Sequence, residues 1–157
     1  MTQTVVIRSA QPSDAKQAAE FVFDILRSYN IKPDPDWLDR DIVTFGSGDH
    51  SRVREFAADF QGQVVGVATL NLDSHPKNEG LCTALYVREN FRAQGIGRRL
   101  LERVVEEAAN LGCTKIRLGT RSIFREAVRL YENMGWKRGP DLPSGYGPDR
   151  TYFFDLS

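Results

Sequence analysis

The chain has 157 residues, enough for one domain spanning 1–157 with a sizeable core. Its 21 basic and 21 acidic side chains balance to a formal net charge of zero, which argues against a general nucleic-acid binder. No run approaches the roughly 18 apolar residues needed to span a bilayer, so no membrane partner is expected.

Thr4 to Arg8 is β-branched and reads as a strand. Charged Arg8, Asp14, Lys16 and Glu20 leave no secretory core among the first twenty residues, which points to a cytoplasmic chain. Pro12-Ser13-Asp14 opens a helix, with Ser13 or Asp14 as its cap. Ala15, Ala18, Val22, Ile25 and Leu26 give that helix a core face. Asn30 and Pro33-Asp34-Pro35 end it, and a second helix is predicted from Trp37 to about Thr44. Arg54–Phe60 and Val64–Leu72 flank the turn Gln61-Gly62-Gln63, and Leu81–Val87 adds a third strand to an antiparallel sheet.

Ile96, Leu100, Leu101, Val104, Val105, Ala108 and Leu111 line one face of the next helix, with Gly112 placed for a left-handed cap. Thr114–Leu118 follows as a strand, so a strand–helix–strand unit implies a parallel pair with a right-handed crossover. A helix from about Arg125 to Met134 stops at Gly135, and the last strands lie at Trp136 and Thr151–Leu156. The order β-α-α-β-β-β-α-β-α-β-β describes a mixed sheet with helices, α/β or α+β by class. Cys82 and Cys113 sit in apolar surroundings and read as buried, inert thiols. Neither has a second Cys or His at ligand spacing, so no metal is expected.

The segment Arg92-Ala93-Gln94-Gly95-Ile96-Gly97 carries the strongest chemical signal. It follows the apolar Leu85-Tyr86-Val87 and opens an amphipathic helix. Two glycines at a helix start present main-chain N–H groups with no side chains in the way, at the positive end of the helix dipole. Such a turn holds phosphate. A dinucleotide fingerprint does not fit, because Leu100 stands where a glycine or alanine belongs and Lys115 where the ribose-binding acid belongs. A P-loop does not fit either, since the loop ends Gly97-Arg98-Arg99 rather than Gly-Lys-Ser/Thr.

The pattern Arg92-x-x-Gly95-x-Gly97 between Leu85-Tyr86-Val87 and Leu100-Leu101 resembles the cofactor motif of the GNAT superfamily of acyl-coenzyme-A-dependent N-acyltransferases. A second stretch, Ala127-Val128-Arg129-Leu130-Tyr131-Glu132-Asn133-Met134-Gly135-Trp136, is similar to another segment of that family. The element order matches as well, so the resemblance covers nearly the whole chain. It implies acetyl-CoA as cosubstrate. Main-chain groups of Ala93, Gln94, Gly95, Ile96, Gly97 and Arg98 would hold its pyrophosphate, beside Arg92. Arg98 and Arg99 either add charge or are solvated bystanders. Leu85, Tyr86 and Val87 would border the pantetheine arm, with main-chain contacts from Leu85 and Val87. Homodimers are common in the family, so a homodimer is among its implications.

Amide formation from a thioester requires removal of an amine proton and protonation of the leaving thiolate. By resemblance Tyr131 is the acid that protonates the thiolate; a core-facing phenol that only positions sulfur has the same sequence. Two positions depart from the family pattern. Phe124 stands where many members carry an asparagine, and the strand Leu81-Cys82-Thr83-Ala84-Leu85 has no carboxylate. Glu79 is the nearest acid. Strand alternation puts residues 79, 81, 83 and 85 on one face, from which Glu79 would reach the acceptor through a water. The alternative is a solvated loop residue, and His75 and His50 are further candidates for the base.

The family's acceptor region corresponds here to the segment carrying Tyr29, Asp34, Asp36, Trp37, Asp39 and Asp41, faced by the turn-rich stretch 139–149 with Tyr146. Its four carboxylates either attract a cationic amine or serve helix capping and solubility. The implied reaction is acetyl transfer to a small-molecule or peptide primary amine by direct attack on the thioester. The alternatives are an acyl-CoA-binding module without transferase activity, or a donor larger than acetyl.

Overall fold

The computed structural model describes residues 4–48, 51–73, 76, 78–143, 145 and 147–156. Seven strands form one sheet in the order β1-β2-β3-β4-β5-β7-β6. They are β1 (Val6–Ser9), β2 (Val53–Phe60), β3 (Gln63–Asn71), β4 (Glu79–Val87), β5 (Lys115–Thr120), β6 (Lys137–Arg138) and β7 (Arg150–Asp155). The helices are α1 (Ala15–Ser28), α2 (Arg40–Val43), α3 (Ile96–Asn110) and α4 (Arg125–Asn133). All neighbours are antiparallel except β4 and β5, which run parallel as a crossover through α3 demands. The expected order of elements and the mixed α/β class therefore hold.

Local chemistry explains the boundaries. Gln61 and Gly62 both adopt positive φ (53° and 89°), the geometry of a two-residue hairpin, so Gln63 belongs to β3 rather than to the turn. Asp14 stands at the N-cap position of α1, but its side chain makes no cap hydrogen bond there. It sits in a preceding 3₁₀ turn (Pro12–Asp14), where its carboxylate accepts the Gln11 N–H at 2.7 Å and two Arg8 N–H bonds at 2.8 and 2.9 Å. The second helix is shorter than the pattern predicts, because residues 34–39 close on themselves. Asp34 N–H donates to Asp39 Oδ2 at 2.7 Å and Asp39 N–H to Asp34 O at 2.8 Å, leaving only Arg40–Val43 helical. Gly112 takes the left-handed φ of 81° past α3, while Leu111 at the C-cap is exposed instead of joining the core.

Two apolar layers cover the sheet. On one face Leu100, Leu101 and Val104 of α3 pack with Leu70, Ile116, Tyr131 and Tyr152. On the other, Ala18, Phe21, Val22 and Leu26 of α1 pack with Ile42, Phe45 and Val67. Each such large apolar side chain withdrawn from water contributes about 1.5–3 kcal/mol before chain entropy is counted. Both cysteines are buried as free thiols.

β4 departs from simple alternation. Thr69 pairs with Ala84 and Leu70 with Cys82, so Thr83 is an extra residue, a β-bulge. The bulge reverses the phase of the strand: Cys82, Leu85 and Val87 pack on the α3 face, but Ala84 and Tyr86 on the α1 face. Residues 79, 81, 83 and 85 consequently do not share one face as alternation predicts. The extra residue is held in place. Thr83 Oγ1 donates to Asp41 Oδ2 at 2.6 Å, Thr69 and Thr83 hydroxyls meet at 2.5 Å, and Asn71 Nδ2 reaches Asp41 at 3.4 Å.

Candidate active site

Parallel pairing of β4 with β5 runs only from Glu79–Lys115 to Cys82–Leu118. Beyond the bulge the two strands diverge, although β4 continues to Val87 and β5 to Thr120. Divergence leaves main-chain groups of β4 facing a gap, and two adjoining cavities line up along it. Leu85, Tyr86, Phe124 and Ala127 border both.

The first cavity, about 470 Å³, is walled by β4, the start of α3 and one side of α4. Its floor is the loop before α3. Ala93 and Gly95 both adopt left-handed backbone, at φ 61° and 79°, so the chain curls before Ile96 begins the helix. Among the described residues, the main-chain N–H groups from Ala93 to Arg98 find no acceptor; the first such bond is Arg99 N–H to Gly95 O. Unclaimed donors at the positive end of a 15-residue helix are an arrangement that suits an anion. Gly97 keeps that floor open, since a Cβ there would project beside Leu130 and Val87, at 3.4 and 3.7 Å. Arg92 braces the curl, its Nε donating to Val87 O at 3.2 Å and lying 3.9 Å from Glu126. Arg99 ties α3 to the residue before β1 through Val5 O at 2.8 Å.

The second cavity, about 80 Å³, lies where β4 and β5 part. Tyr131 borders it from α4. The ring is 4% exposed and packs beside Trp136 (6.0 Å) and Tyr152 (5.5 Å). Among the described residues its hydroxyl makes no hydrogen bond, and burial holds its phenol well above the usual range, so it keeps its proton at neutral pH. Cys82 lies at the same cavity and reports what these surroundings do to sulfur. Burial pushes its thiol up to about 12, against the Ala84 carbonyl contact. Burial thus raises the proton affinity of sulfur as well as of the phenol here, and Tyr131 is a protonated group beside that sulfur.

Nine of the ten residues predicted around the cofactor come together. Leu85, Tyr86, Val87, Arg92, Ala93, Gly95, Ile96, Gly97 and Arg98 all line the first cavity; Gln94 is exposed and does not. Glu79 lies at the far end of β4. It pairs with Arg117 at 2.7 Å and borders neither cavity. His50, His75 and Tyr146 fall outside the described residues. Phe124, in place of the family's asparagine, forms an aromatic wall between the cavities, against Tyr29 (4.9 Å) and Tyr86 (6.4 Å).

The family model for the GNAT acetyltransferases matches residues 19–136, a span that includes the loop, the divergent strands and Tyr131. The chain belongs to the GNAT acetyltransferase family. Among relatives, an "IAA acetyltransferase" of Azospirillum brasilense is 34% identical over 103 residues, 65% of each chain. A thialysine N-ε-acetyltransferase of Mus musculus is 39% identical over 51 residues, 32% of this chain and 30% of that one. The matched stretch thus spans less than two thirds of either relative. The fold agrees with a GNAT-family acetyltransferase of Staphylococcus aureus Mu50 at TM-score 0.86 and 24% identity, covering 98% of this chain and all of that one. A PaiA N-acetyltransferase of Thermoplasma acidophilum, solved with coenzyme A, superposes at TM-score 0.76 with 15% identity over 98% and 99% of the two chains.

Several features of this family member leave no mark in the sequence. The bulge at Thr83 has no local signal, because it is fixed by Asp41 from another element. Asp39 and Arg121 both border the second cavity. Asp39 stood only as one of four acids in a loop, and Arg121 had no signal beyond its position after a strand. No group of three or more His, Cys, Asp or Glu side chains among the described residues is placed to hold a metal. No helix among them is long and apolar enough to cross a membrane.

Proposed function

We propose that the chain, acting as one N-acetyltransferase domain, transfers an acetyl group from acetyl-CoA to a primary amine by direct attack on the thioester. The run of unclaimed N–H groups from Ala93 to Arg98 carries this reading, because it fits a diphosphate at the mouth of a cavity that leads to Tyr131. Acetyl-CoA, when bound, supplies an activated acyl thioester.

The residues divide the remaining work. Ala93 to Arg98 hold the diphosphate through the main chain, and Arg92 keeps their curl. Leu85 and Val87 offer β4 main-chain groups to the pantetheine arm along the gap. Tyr131 donates its phenolic proton to the departing sulfur. Leu85, Phe124 and Ala127 exclude water around the reacting carbon. A second cavity of about 80 Å³ suits acetyl better than a long or charged acyl group. The relatives named for IAA and thialysine acetylation support acetyl as the group moved and an amine as one class of acceptor. The test is a panel of primary amines incubated with acetyl-CoA, followed by free-thiol release. Release that depends on the amine supports the proposal; tight cofactor binding with no amine-dependent release overturns it.

A further inference from the structure

The reaction needs an amine without its proton, and a lysine-like amine has a reference pKa of about 10.4, so nearly all of it is ammonium at neutral pH. The one carboxylate on β4, that of Glu79 at its far end, is committed to Arg117 and borders neither cavity. Asp39 occupies a different position. It borders the second cavity, as Tyr131 does, and is held there by the turn 34–39 rather than by the sheet.

We propose that Asp39 is the catalytic base, taking a proton from the acceptor's ammonium at the wall of the second cavity. The inference rests on the transferase reading above. Three observations lead to it. The carboxylate is fixed, because Asp34 N–H bonds its Oδ2 at 2.7 Å, so its second oxygen is free to serve the cavity. It is partly buried, and the cost of that burial holds its carboxyl above the ordinary range, partly offset by the Asp34 N–H and by Arg121. A carboxylate so shifted is a better base near neutral pH than a solvated one. Finally, Arg121 borders the same cavity without an ion-pair partner among the described residues. Its positive charge and the partial burial both lower the proton affinity of an ammonium placed there, which narrows the gap that Asp39 must bridge.

The charged and titratable groups around Asp39 are Asp34 on its own turn, Arg121 after β5, and Tyr86 on β4. Burial keeps the Tyr86 phenol protonated, so it does not compete as a base. The steps balance as follows. Asp39 accepts one ammonium proton; the neutral nitrogen then bonds to the acyl carbon. The C–S bond breaks, sulfur takes the Tyr131 proton, and the nitrogen's second proton restores the tyrosine. Solvent finally takes the proton from Asp39. The products are an amide, a free thiol and one proton.

The test compares Asp39→Asn with wild type across pH, using the best amine from the panel. At pH 7 the variant should lose about a hundredfold in kcat, within the usual range for one acid–base group. That deficit should shrink as pH rises toward the amine's own pKa, where solvent supplies the neutral amine. Asp39→Glu should recover part of the activity. The protein without substrate gives a second readout. A raised folded-state carboxyl pKa means that the folded chain holds more protons than the unfolded one between the two values, so wild-type stability falls as pH rises through that window. Asp39→Asn should remove that fall and melt no lower than wild type at pH 7. Should Asn misfold, Asp39→Ser replaces it, its hydroxyl accepting the same Asp34 N–H. A loss equal at every pH, or no loss, with wild type active, overturns the role of Asp39 and leaves the transferase reading standing. Wild type inactive toward every amine overturns both.

Discussion

The two cavities serve one proposed reaction with different materials. The first is built from main chain: a curl at Ala93 and Gly95 and the open donors beyond it. The second is built from side chains of separate elements, Asp39 from the turn before α2, Arg121 from just after β5 and Tyr131 from α4. A main-chain site needs only local backbone geometry, so its demands appear as glycines at fixed spacing. A side-chain site needs distant segments brought together, and each residue alone looks ordinary. That contrast predicts that substitutions in the first cavity change affinity and substitutions in the second change turnover.

The largest expected effect is on binding. Gly97→Trp places an indole between the loop floor and Leu130, in the space of the first cavity. Its Kd for coenzyme A should rise roughly a thousandfold, about 4 kcal/mol, by calorimetry. Unchanged affinity would place the cofactor elsewhere. Tyr131→Phe should lower kcat about a hundredfold while leaving Kd within about twofold. A Kd that moves with kcat would make the phenol a positioning group and blur the division between the cavities.

Two smaller effects sharpen the contrast. Thr83→Val removes the hydroxyl that holds the bulge to Asp41, leaving a partly buried carboxylate short of one donor. Chemical denaturation should report a loss of about 1–2 kcal/mol. Turnover should fall with it, because the bulge opens the gap between β4 and β5. Gly95→Ala meets no atom within 4 Å but must adopt φ of 79°. It should cost about 1–2 kcal/mol of stability from backbone strain alone, with cofactor affinity reduced only as far as the curl relaxes. A stability change near zero would mean that the loop adopts another conformation.

The same contrast explains how much was legible in the sequence. Apolar periodicity placed α1, α3, α4 and all the long strands, because each buries one face against the sheet. Glycine spacing located the loop, and nine of its ten named residues line the cavity. What escaped depended on contacts between distant segments. Trp37–Thr44 reads as helix by pattern, yet the reciprocal bonds between Asp34 and Asp39 tie its first half into a turn. That same turn carries Asp39 to the cavity. Alternation through β4 failed at Thr83, where Asp41, 42 residues earlier, supports an extra residue. Glu79 was the nearest acid by chain distance but not by space, since Arg117 on the neighbouring strand claims it.

The central claim is that main-chain amides from Ala93 to Arg98 hold the diphosphate of coenzyme A. Amide chemical shifts of isotopically labelled protein, followed while coenzyme A is titrated in, test it most directly. The account predicts saturable shifts largest at residues 93–98, with smaller ones along Leu85–Val87. Binding that leaves those amides unmoved, or no binding by folded protein, would contradict it.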